Sequence, residues 1–466
     1  MMKLLRALIL AGSLTCLHGQ EFVVWHTETD PNTLRALDNI ARRFEKDHVG
    51  VSVRMMAVGW IDLYRKITLA VQTGELPALA QIEPFMAAYL RRQRLLQPID
   101  DVIEGIGESD IYPSVIDLQE FDGHRYGIAT ALGISYYSYR KDLFQKAGIQ
   151  SIPRSWDDYL AVLRKLSSED RERAPLLLPA NDLHMLLLFS ELLASNDGSL
   201  FDNQGRPQFM DRKVLETLRF WEELAKLVPP QYRNSAYSDN FVHYAQDRAL
   251  TLPVFFGRGT LQIERTAPEA LRSPEIFALF PHIVGPSGKK AYATLDAEPW
   301  VIFQKSPQPA IAREFLKFFY RKDNYLEFCR FVPIHLTPIF RSLATGTDYT
   351  SDPMVQKWRP FFDYQIKMLQ DDSVLPIFMA RKQDRYLTSL FRLEGSHVVS
   401  DMLRAITVSG RTPEEATSLG LKAADQLNER PLPESRGPMS WIIGALFAAA
   451  VAAILLLARR ILRTAK

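Results

Sequence analysis

The segment 21–74 alternates short apolar runs with longer amphipathic ones. EFVVW (21–25) is typical of a buried strand, and Asp30 followed by Pro31 is typical of a helix start. The helix then keeps apolar residues on one face, at Leu34, Leu37, Ile40, Ala41 and Phe44. VSVRM (51–55) alternates like a second strand before the helical period resumes. This order predicts βαβ units, in which parallel strands lie under covering helices and ligands bind beyond the carboxyl ends of the strands.

Length and composition indicate a globular chain with a large core. The chain has 466 residues, of which 24% are charged and 47% are hydrophobic, so two or more lobes are expected. Lys and Arg total 56 whereas Asp and Glu total 54, so no basic surface for nucleic acid is indicated. The cysteines, Cys16 and Cys329, predict neither a disulfide in the mature chain nor a metal cluster, and no cofactor is expected.

The N-terminus has the pattern of a secretory signal peptide. Lys3 and Arg6 precede the apolar run ALILAGSLTCL, which is too short to span a bilayer. We therefore expect residues 1–19 to be removed when the protein is exported. The alternative is a lipoprotein attached through Cys16, although Ser13 stands where such signals carry leucine.

The C-terminus has the pattern of a membrane anchor. Residues 441–458 are apolar without interruption, about 27 Å as a helix, which is close to a hydrocarbon core of about 30 Å. We predict a transmembrane helix at 439–459 and a basic cytoplasmic tail at 460–466, so that the globular part faces outward from the inner membrane. Residues 431–438 are rich in proline and predict a semi-rigid stalk. The alternative, a buried core helix, fits poorly with the basic end of the chain.

Short turn and packing signatures follow one another along residues 21–429. In order they are VVWHTETD, FEKDHVGVSV, ITLAVQTGELPALAQ, LRRQRLLQPIDD, EFDGHRYGIAT, YYSYRKDLFQKAGI, IPRSWDDYL, SLFDNQGRPQF, RALTLPVFFGR, VIFQKSPQPAIAREFLKFFY and GRTPEEATSLGLKAADQLNE. In this order they resemble family 1 of the extracellular solute-binding proteins. This is the sugar-binding, maltose-binding-protein-like group that serves ATP-binding-cassette (ABC) importers.

The resemblance implies an α/β fold with two lobes joined by hinge strands, the periplasmic-binding-protein-like type II fold. We place lobe one at 21–130 and 285–335, and lobe two at 131–284 and 336–430. The resemblance also implies a small-molecule ligand between the lobes, most often a mono- or oligosaccharide, and ABC permease subunits as partners. The stretch FDGHRYGIAT adds a predicted hairpin turn at residues 122–123.

Polar and aromatic side chains follow the ends of the first three predicted strands. A sugar offers a ring face that aromatic planes cover and a rim of hydroxyls that polar groups bind. The candidates in these loops are Trp25, His26, Glu28, Trp60, Gln81 and Glu83. Taken singly, each carboxylate is more typical of a solvated loop, and only the convergence of the loops favours a binding role.

The resemblance adds candidates from the rest of the chain. It indicates Asn181, Asp182, Phe255, Phe256 and Arg258 in the second lobe, and Tyr136 in a hinge strand. The stretch TLDAEPW departs from the small-residue turn common in the family and adds Asp296, Glu298 and Trp300, so the ligand is expected to be smaller or to need two further acceptors. Trp60 and Trp300 are expected on loops, whereas Trp25 and Tyr136 are as typical of the core as of a site.

The sequence contains no motif that nominates a catalytic nucleophile. H-E-x-x-H, C-x-x-C, G-x-S-x-G and a complete P-loop are all absent, so we expect a binding protein and not an enzyme. A glycosidase-like carboxylate pair, Glu28 with Glu298, is the enzymatic alternative. A second alternative is a ligand-sensing subunit for a membrane signalling partner in place of an importer.

Overall fold

The computed structural model describes residues 20–179, 184–376, 389–393 and 397–428. The chain divides into two compact units, Met1–Ala424 and Asp425–Lys466, and all elements below belong to the first except the end of the last helix. The predicted signal peptide, stalk, transmembrane helix and tail lie outside the described residues, as do Asn181 and Asp182. Among the described helices, none has the length and apolar character needed to cross a membrane.

Strands and helices alternate along most of the described chain. The strands are β1 (Gln20–His26), β2 (Val51–Ala57), β3 (Leu79–Gln81), β4 (Glu120–Phe121), β5 (His124–Arg125), β6 (Ile128–Ala129), β7 (Gly133–Ile134), β8 (Tyr136–Arg140), β9 (Thr251–Phe255), β10 (Phe277–Phe280), β11 (Ala293–Asp296), β12 (Pro299–Val301) and β13 (Val374–Pro376). The helices up to β9 are α1 (Pro31–Asp47), α2 (Trp60–Thr73), α3 (Pro84–Arg92), α4 (Asp100–Ile106), α5 (Pro113–Gln119), α6 (Lys141–Lys146), α7 (Trp156–Glu169), α8 (Met185–Ser195), α9 (Arg212–Leu227) and α10 (Tyr237–Ala245). The later helices are α11 (Gly257–Thr266), α12 (Pro309–Phe319), α13 (Lys322–Arg330), α14 (Arg341–Thr345), α15 (Thr347–Thr350), α16 (Pro353–Lys357), α17 (Arg359–Gln370), α18 (Val398–Thr407) and α19 (Pro413–Asn428). Short 3₁₀ turns occur at Glu108–Asp110, Pro230–Tyr232 and Glu269–Leu271.

The first sheet has the strand order β2-β1-β3-β12-β6. Strands β1, β2 and β3 run parallel, with Val24 opposite both Met55 and Leu79. Strand β12 runs antiparallel to β3 and β6. The Asp30 carboxylate accepts a hydrogen bond of 2.9 Å from the Asn32 amide and caps α1. The βαβ start predicted from the sequence is therefore confirmed.

The second sheet is antiparallel and has the order β10-β8-β9. Adjacent tyrosines of β8 pack into different aromatic groups, as expected when side chains alternate across a strand. Tyr137 packs against Tyr159 and Phe280, with ring centroids 5.9 and 5.3 Å away. Tyr136 stands edge-on to Phe361 at 5.3 Å. Aromatic packing on both faces fixes this sheet in the core.

The third sheet, β13-β11-β7, lies on both paths that the chain takes between the first two sheets. On the first path the chain leaves the first sheet at β6, pairs at β7 and enters the second sheet at β8. On the return path it leaves β10, pairs at β11 and rejoins the first sheet at β12. Strand β11 is antiparallel to β7, with Leu295 opposite Ile134. The predicted lobe boundaries at residues 130 and 284 fall on these paths, and they stay a prediction.

The short hairpin β4–β5 confirms the turn predicted at residues 122–123. Phe121 pairs with His124, and both turn residues have positive φ, 54° at Asp122 and 77° at Gly123. Two consecutive positive φ angles are typical of the turn that suits the twist of a two-residue hairpin. The Asp-Gly pair therefore forms the turn that the local sequence predicts.

A buried carboxyl group lies where α8 meets strands β7, β8 and β11. Glu191 accepts hydrogen bonds from the Ser135 hydroxyl at 2.5 Å and the Thr294 amide at 3.3 Å. Burial raises the pKa of Glu191 to about 8 and lowers the pKa of His282 to about 3. Although these two side chains lie 3.5 Å apart, both are held neutral near pH 7, so their contact is not an ion pair.

We predict that the raised pKa of Glu191 makes the protein less stable as pH rises. Between about pH 4.5 and 8 the folded chain keeps a proton that the unfolded chain releases, so this stabilisation is complete below pH 4.5 and is lost toward pH 8. One such group contributes a slope of up to about 1.4 kcal/mol per pH unit. Denaturant unfolding from pH 5 to 8 should therefore show a smaller decline for Glu191→Gln than for the wild type.

The control is Glu104→Gln, which removes an exposed glutamate from α4. It should leave the pH slope of the unfolding free energy unchanged. An identical slope in the wild type and Glu191→Gln would contradict the assignment of the proton to Glu191.

Candidate functional site

Loops from different parts of the fold meet beyond the carboxyl ends of β1 and β3. Their side chains are Glu28 after β1, Glu83 after β3, Asp296 and Glu298 at the β11–β12 turn, and Arg258 in the first turn of α11. Strand order brings the loops together, because β3 lies between β1 and β12. We call Glu28, Glu83, Asp296 and Glu298 the acid cluster. Glu28 and Glu83 are 5% and 6% exposed, so the expectation of solvated loop charges was wrong for these two.

Gln81 connects three of these segments through its side-chain amide. Its Oε1 accepts a hydrogen bond from the Thr27 amide at 3.1 Å. Its Nε2 donates to Glu298 Oε2 at 2.8 Å and to Thr130 Oγ1 at 3.2 Å. Gln81 is 1% exposed, and its bonds to the Thr27 amide and Thr130 are buried, where a lost partner is costly, whereas its bond to Glu298 is partly buried. The amide therefore fixes the loop after β1 and the β11–β12 turn relative to β3.

The acid cluster holds protons at neutral pH. The carboxyl groups of Asp296 and Glu298 lie close enough to interact directly. Burial, together with the neighbouring Asp296, raises the pKa values of Glu83 and Glu298 well above the usual range for glutamate. Burial also raises the pKa of Asp296, to about 6. Like charges in a site with little water thus keep part of the cluster neutral.

Two arginines of α11 reach the loop that follows β1. Arg258 Nη2 lies 3.2 Å from Glu28 Oε2, and Arg265 Nη1 lies 2.7 Å from Asp30 Oδ2. Burial by itself would raise the pKa of Asp30, but the hydrogen bonds from Arg265 and the Asn32 amide, together with the positive charges of Arg265 and Arg258, outweigh burial and lower the pKa. Two ion pairs therefore join α11, which follows the second sheet, to the start of α1 beside the first sheet.

The start of α11 is positioned by a close backbone approach at Gly257. A Cβ at Gly257 would stand 2.4 Å from the amide nitrogen of His335 and 2.5 Å from the carbonyl carbon of Ile334. Real Cβ atoms do not approach backbone atoms so closely, so only glycine lets the helix begin against this segment. The approach sets where the next residue, Arg258, leaves the helix.

Histidines beside the acid cluster are neutral. Burial lowers the pKa of His26 to about 4, and burial together with Arg258 lowers the pKa of His335 well below its ordinary value. Among the described residues, neither His26 Nδ1 nor His335 Nδ1 has a hydrogen-bond partner. Within the same residues, no group of three or more His, Cys, Asp or Glu side chains is arranged to hold a metal ion.

Most aromatic candidates are buried in the core. Tyr136, Phe255 and Trp300 are at most 1% exposed and pack in the core. The Tyr136 hydroxyl donates to Gln365 Oε1 at 2.9 Å, so its polar end is satisfied internally. Phe256 precedes α11 with 2% exposed, and Trp25 is half-buried within β1. The aromatic lining predicted from the sequence is therefore largely core packing in this structure.

The two tryptophans expected on loops belong to regular elements. Trp300 lies in β12, opposite Gln81 and Ile128, because the TLDAEPW stretch ends in a strand that joins the first sheet. It also stands edge-on to Phe319, 6.0 Å away. Trp60 begins α2 after Gly59, and its side chain lies outside the described part of the structure.

Three polar residues near the acid cluster were missed from the sequence. Asp30 was assigned only as a helix cap, and neither Thr130 nor Arg265 was singled out. For Arg265 a signal existed, since it follows Arg258 by seven residues and therefore shares its helix face. Thr130 follows the short strand β6, and no local pattern indicates that this strand sits beside β12.

A family model and a curated relative indicate the same class of protein. The model described as bacterial extracellular solute-binding protein matches residues 39–357. A relative from Escherichia coli (strain K12), YcjN, bears the name of an ABC transporter periplasmic-binding protein. It is 22% identical over 420 residues, covering 87% of this chain and 92% of its own.

Solved structures give the fold. A sugar transporter protein from Arthrobacter chlorophenolicus with bound laminaribiose has a TM-score of 0.73 and 16% identity, over 87% of this chain and 99% of its own. A solute-binding protein from Agrobacterium vitis with bound D-mannitol has a TM-score of 0.71 and 20% identity, over 89% of this chain and 100% of its own. The chain thus has the two-lobed α/β fold of periplasmic binding proteins.

Proposed function

This chain belongs to the bacterial extracellular solute-binding proteins, and from that premise we propose that it captures a sugar or polyol and delivers it to the permease of an ABC importer. Family membership confirms the resemblance recognised from the sequence motifs. It also confirms that the protein is a solute-binding protein and not an enzyme. The family name places its members outside the cytoplasm, in agreement with the expected export.

The convergence of polar loops around Gln81 is the observation that carries the proposal. Carboxyl, amide and guanidinium groups from β1, β3, the β11–β12 turn and α11 lie within hydrogen-bond reach of one another. Such groups are the partners that the hydroxyls of a sugar or polyol require. Relatives with laminaribiose or D-mannitol bound fit this ligand class.

We propose that binding works by closure of the two lobes around the solute. Under the predicted boundaries, Glu28, Gln81 and Glu298 belong to lobe one and Arg258 belongs to lobe two. A solute that contacts both lobes favours the closed form, and only that difference in affinity moves the equilibrium. Ion pairs join α11 to Glu28 and Asp30. They support a closed form in which α11 meets the loop after β1.

We further propose that a helix at 439–459 holds the protein in the inner membrane, with the lobes outside and residues 460–466 in the cytoplasm. The apolar length and the flanking basic residues support this arrangement. A stalk at 431–438 would keep the lobes near the permease and raise the effective concentration to the order of millimolar. The tether changes delivery and leaves the binding site itself unaltered.

We predict that sugars or polyols stabilise the purified chain. A solute present at about 100 times its Kd adds about 2.7 kcal/mol to the free energy of unfolding, which raises the melting temperature. A thermal-shift screen of mono-, oligosaccharides and polyols checks this. If no such solute shifts the melting temperature while another solute class does, the assigned ligand class is wrong.

The variant Gln81→Ala tests whether the solute binds beside Gln81. Loss of the amide leaves Glu298 and the Thr27 amide without partners, so solute binding should weaken by about 1–3 kcal/mol. The matched control is Gln97→Ala, which removes a glutamine that donates to the Phe303 carbonyl at 3.2 Å, outside the acid cluster. Calorimetric titration should show unchanged affinity for Gln97→Ala, and equal losses in both variants would argue against the site.

The proposed membrane anchor is tested by cell fractionation. The exported full-length chain should sediment with membranes and resist extraction by high salt, whereas a chain ending at residue 428 should be released in soluble form with the same solute affinity. Fractionation followed by titration measures both properties. A full-length chain found only in the soluble fraction would contradict the anchor.

A further inference from the structure

The acid cluster contains a buried acceptor without a partner. Glu28 is paired with Arg258, and Glu298 accepts a hydrogen bond from Gln81. Among the described residues, Glu83 Oε2 has no hydrogen-bond partner, although Glu83 is only 6% exposed. Because Asp296 and Glu298 both interact electrostatically with Glu83, its carboxyl group faces the same small volume. An unpartnered buried acceptor beside two further carboxyl groups points to a donor that binds there.

Gln81 and Arg258 donate to the acid cluster. Gln81 Nε2 donates to Glu298 and Thr130, and the Arg258 guanidinium contacts Glu28. A second unpartnered oxygen, Thr27 Oγ1, lies in a residue that is 3% exposed and bonded through its amide to Gln81. A hydroxyl of a neutral solute brings one donor but also an oxygen that needs donors in return. An ammonium group brings three donors, a positive charge and no acceptor, which suits four carboxyl groups that are paired with one guanidinium.

The charges around the acid cluster also favour a cationic solute. The acid cluster contributes four carboxyl groups, and within the described residues Arg258 is the cation in ion-pair contact with it. The other titratable group that faces Asp296 is His184, from the turn before α8. An anionic solute would oppose ionisation of these carboxyl groups, whereas a cationic solute favours their ionised form.

The inference rests on the proposed function and narrows its ligand. We propose that the solute carries a protonated amine, as an amino sugar or an amino polyol does, and that Glu83, Asp296 and Glu298 bind its ammonium group. Its hydroxyls are then left for Gln81, Thr27 and Arg258. This agrees with the extra acceptors that the TLDAEPW stretch adds to the family's usual turn.

Binding of an ammonium group releases protons. Burial and mutual repulsion hold the acid cluster partly protonated, with the pKa of Asp296 raised to about 6 and those of Glu83 and Glu298 raised well above the usual range for glutamate. A bound cation favours the ionised carboxylates, so the protons pass to the buffer while the ammonium keeps its own. A neutral solute has no such preference for the ionised form and releases fewer protons.

The test uses matched solutes that differ in one group. D-Glucamine and D-sorbitol differ by an amine in place of a hydroxyl, and D-glucosamine and D-glucose form a second pair. Calorimetric titration of the full chain, in two buffers of different ionisation enthalpy at pH 7, gives both affinity and protons released. We expect the amine of at least one pair to bind at least tenfold more tightly than its neutral partner, with net proton release.

Glu83→Gln keeps the size of the side chain and removes its charge. In this variant the preference for the amine should fall to less than threefold. The control Glu104→Gln removes one charge from an exposed position on α4 and should keep the full preference. Melting curves without added solute verify that both variants fold, and a folded Glu83→Gln protein with undiminished preference would overturn the role of Glu83.

The outcomes separate this inference from the proposed function. If neutral solutes bind as tightly as their amines, the protein still binds sugars or polyols but the ammonium site is wrong. If neither pair binds and no other sugar or polyol stabilises the chain, the proposed function itself fails and the inference falls with it.

Discussion

The side-chain amide of Gln81 is the contact on which the arrangement of the site depends. It can bond to the Thr27 amide, Thr130 and Glu298 at once only because β3 lies between β1 and β12. The start of the antiparallel strand β12 lies at the same edge of the sheet as the carboxyl ends of β1 and β3, so the topology alone brings the polar side chains of these loops together. The amide then fixes their relative positions, since its bonds to the Thr27 amide and Thr130 are buried and costly to lose.

The acid cluster gives the site its chemical character. Carboxyl groups that leave water must be paired, protonated or bound to a ligand, because an isolated buried charge is too costly. In this chain Glu28 takes the first route through Arg258, and Glu298, whose pKa is raised well above its usual range by burial and by Asp296, takes the second. Glu83 is left with an unpartnered oxygen among the described residues. The same logic applies to Glu191, which is buried and protonated where the chain passes between sheets.

Sequence patterns predicted local parts of the fold and part of the polar site, whereas Asp30, Thr130 and Arg265 were not recognised as site residues. Apolar periodicity predicted the βαβ start, the Asp-Gly pair predicted the β4–β5 hairpin, and strand-end loops predicted that Gln81 and Glu83 would converge. These features are local or follow from a general rule about parallel sheets. The aromatic part was less predictable, because the burial of Trp300 depends on pairing with β3 and β6, strands distant in the sequence. The ion pair of Arg265 with Asp30 likewise needs two elements to be docked before it exists.

The central claim is that the loops after β1 and β3, the β11–β12 turn and the start of α11 together form the solute site. Amide hydrogen exchange, followed by mass spectrometry with and without a stabilising solute, tests this directly because it locates the backbone that the solute protects. The account predicts slower exchange at residues 27–28, 81–83, 296–298 and 257–260 when the solute is bound. Protection confined to other parts of the chain, with these four segments unchanged, would contradict it.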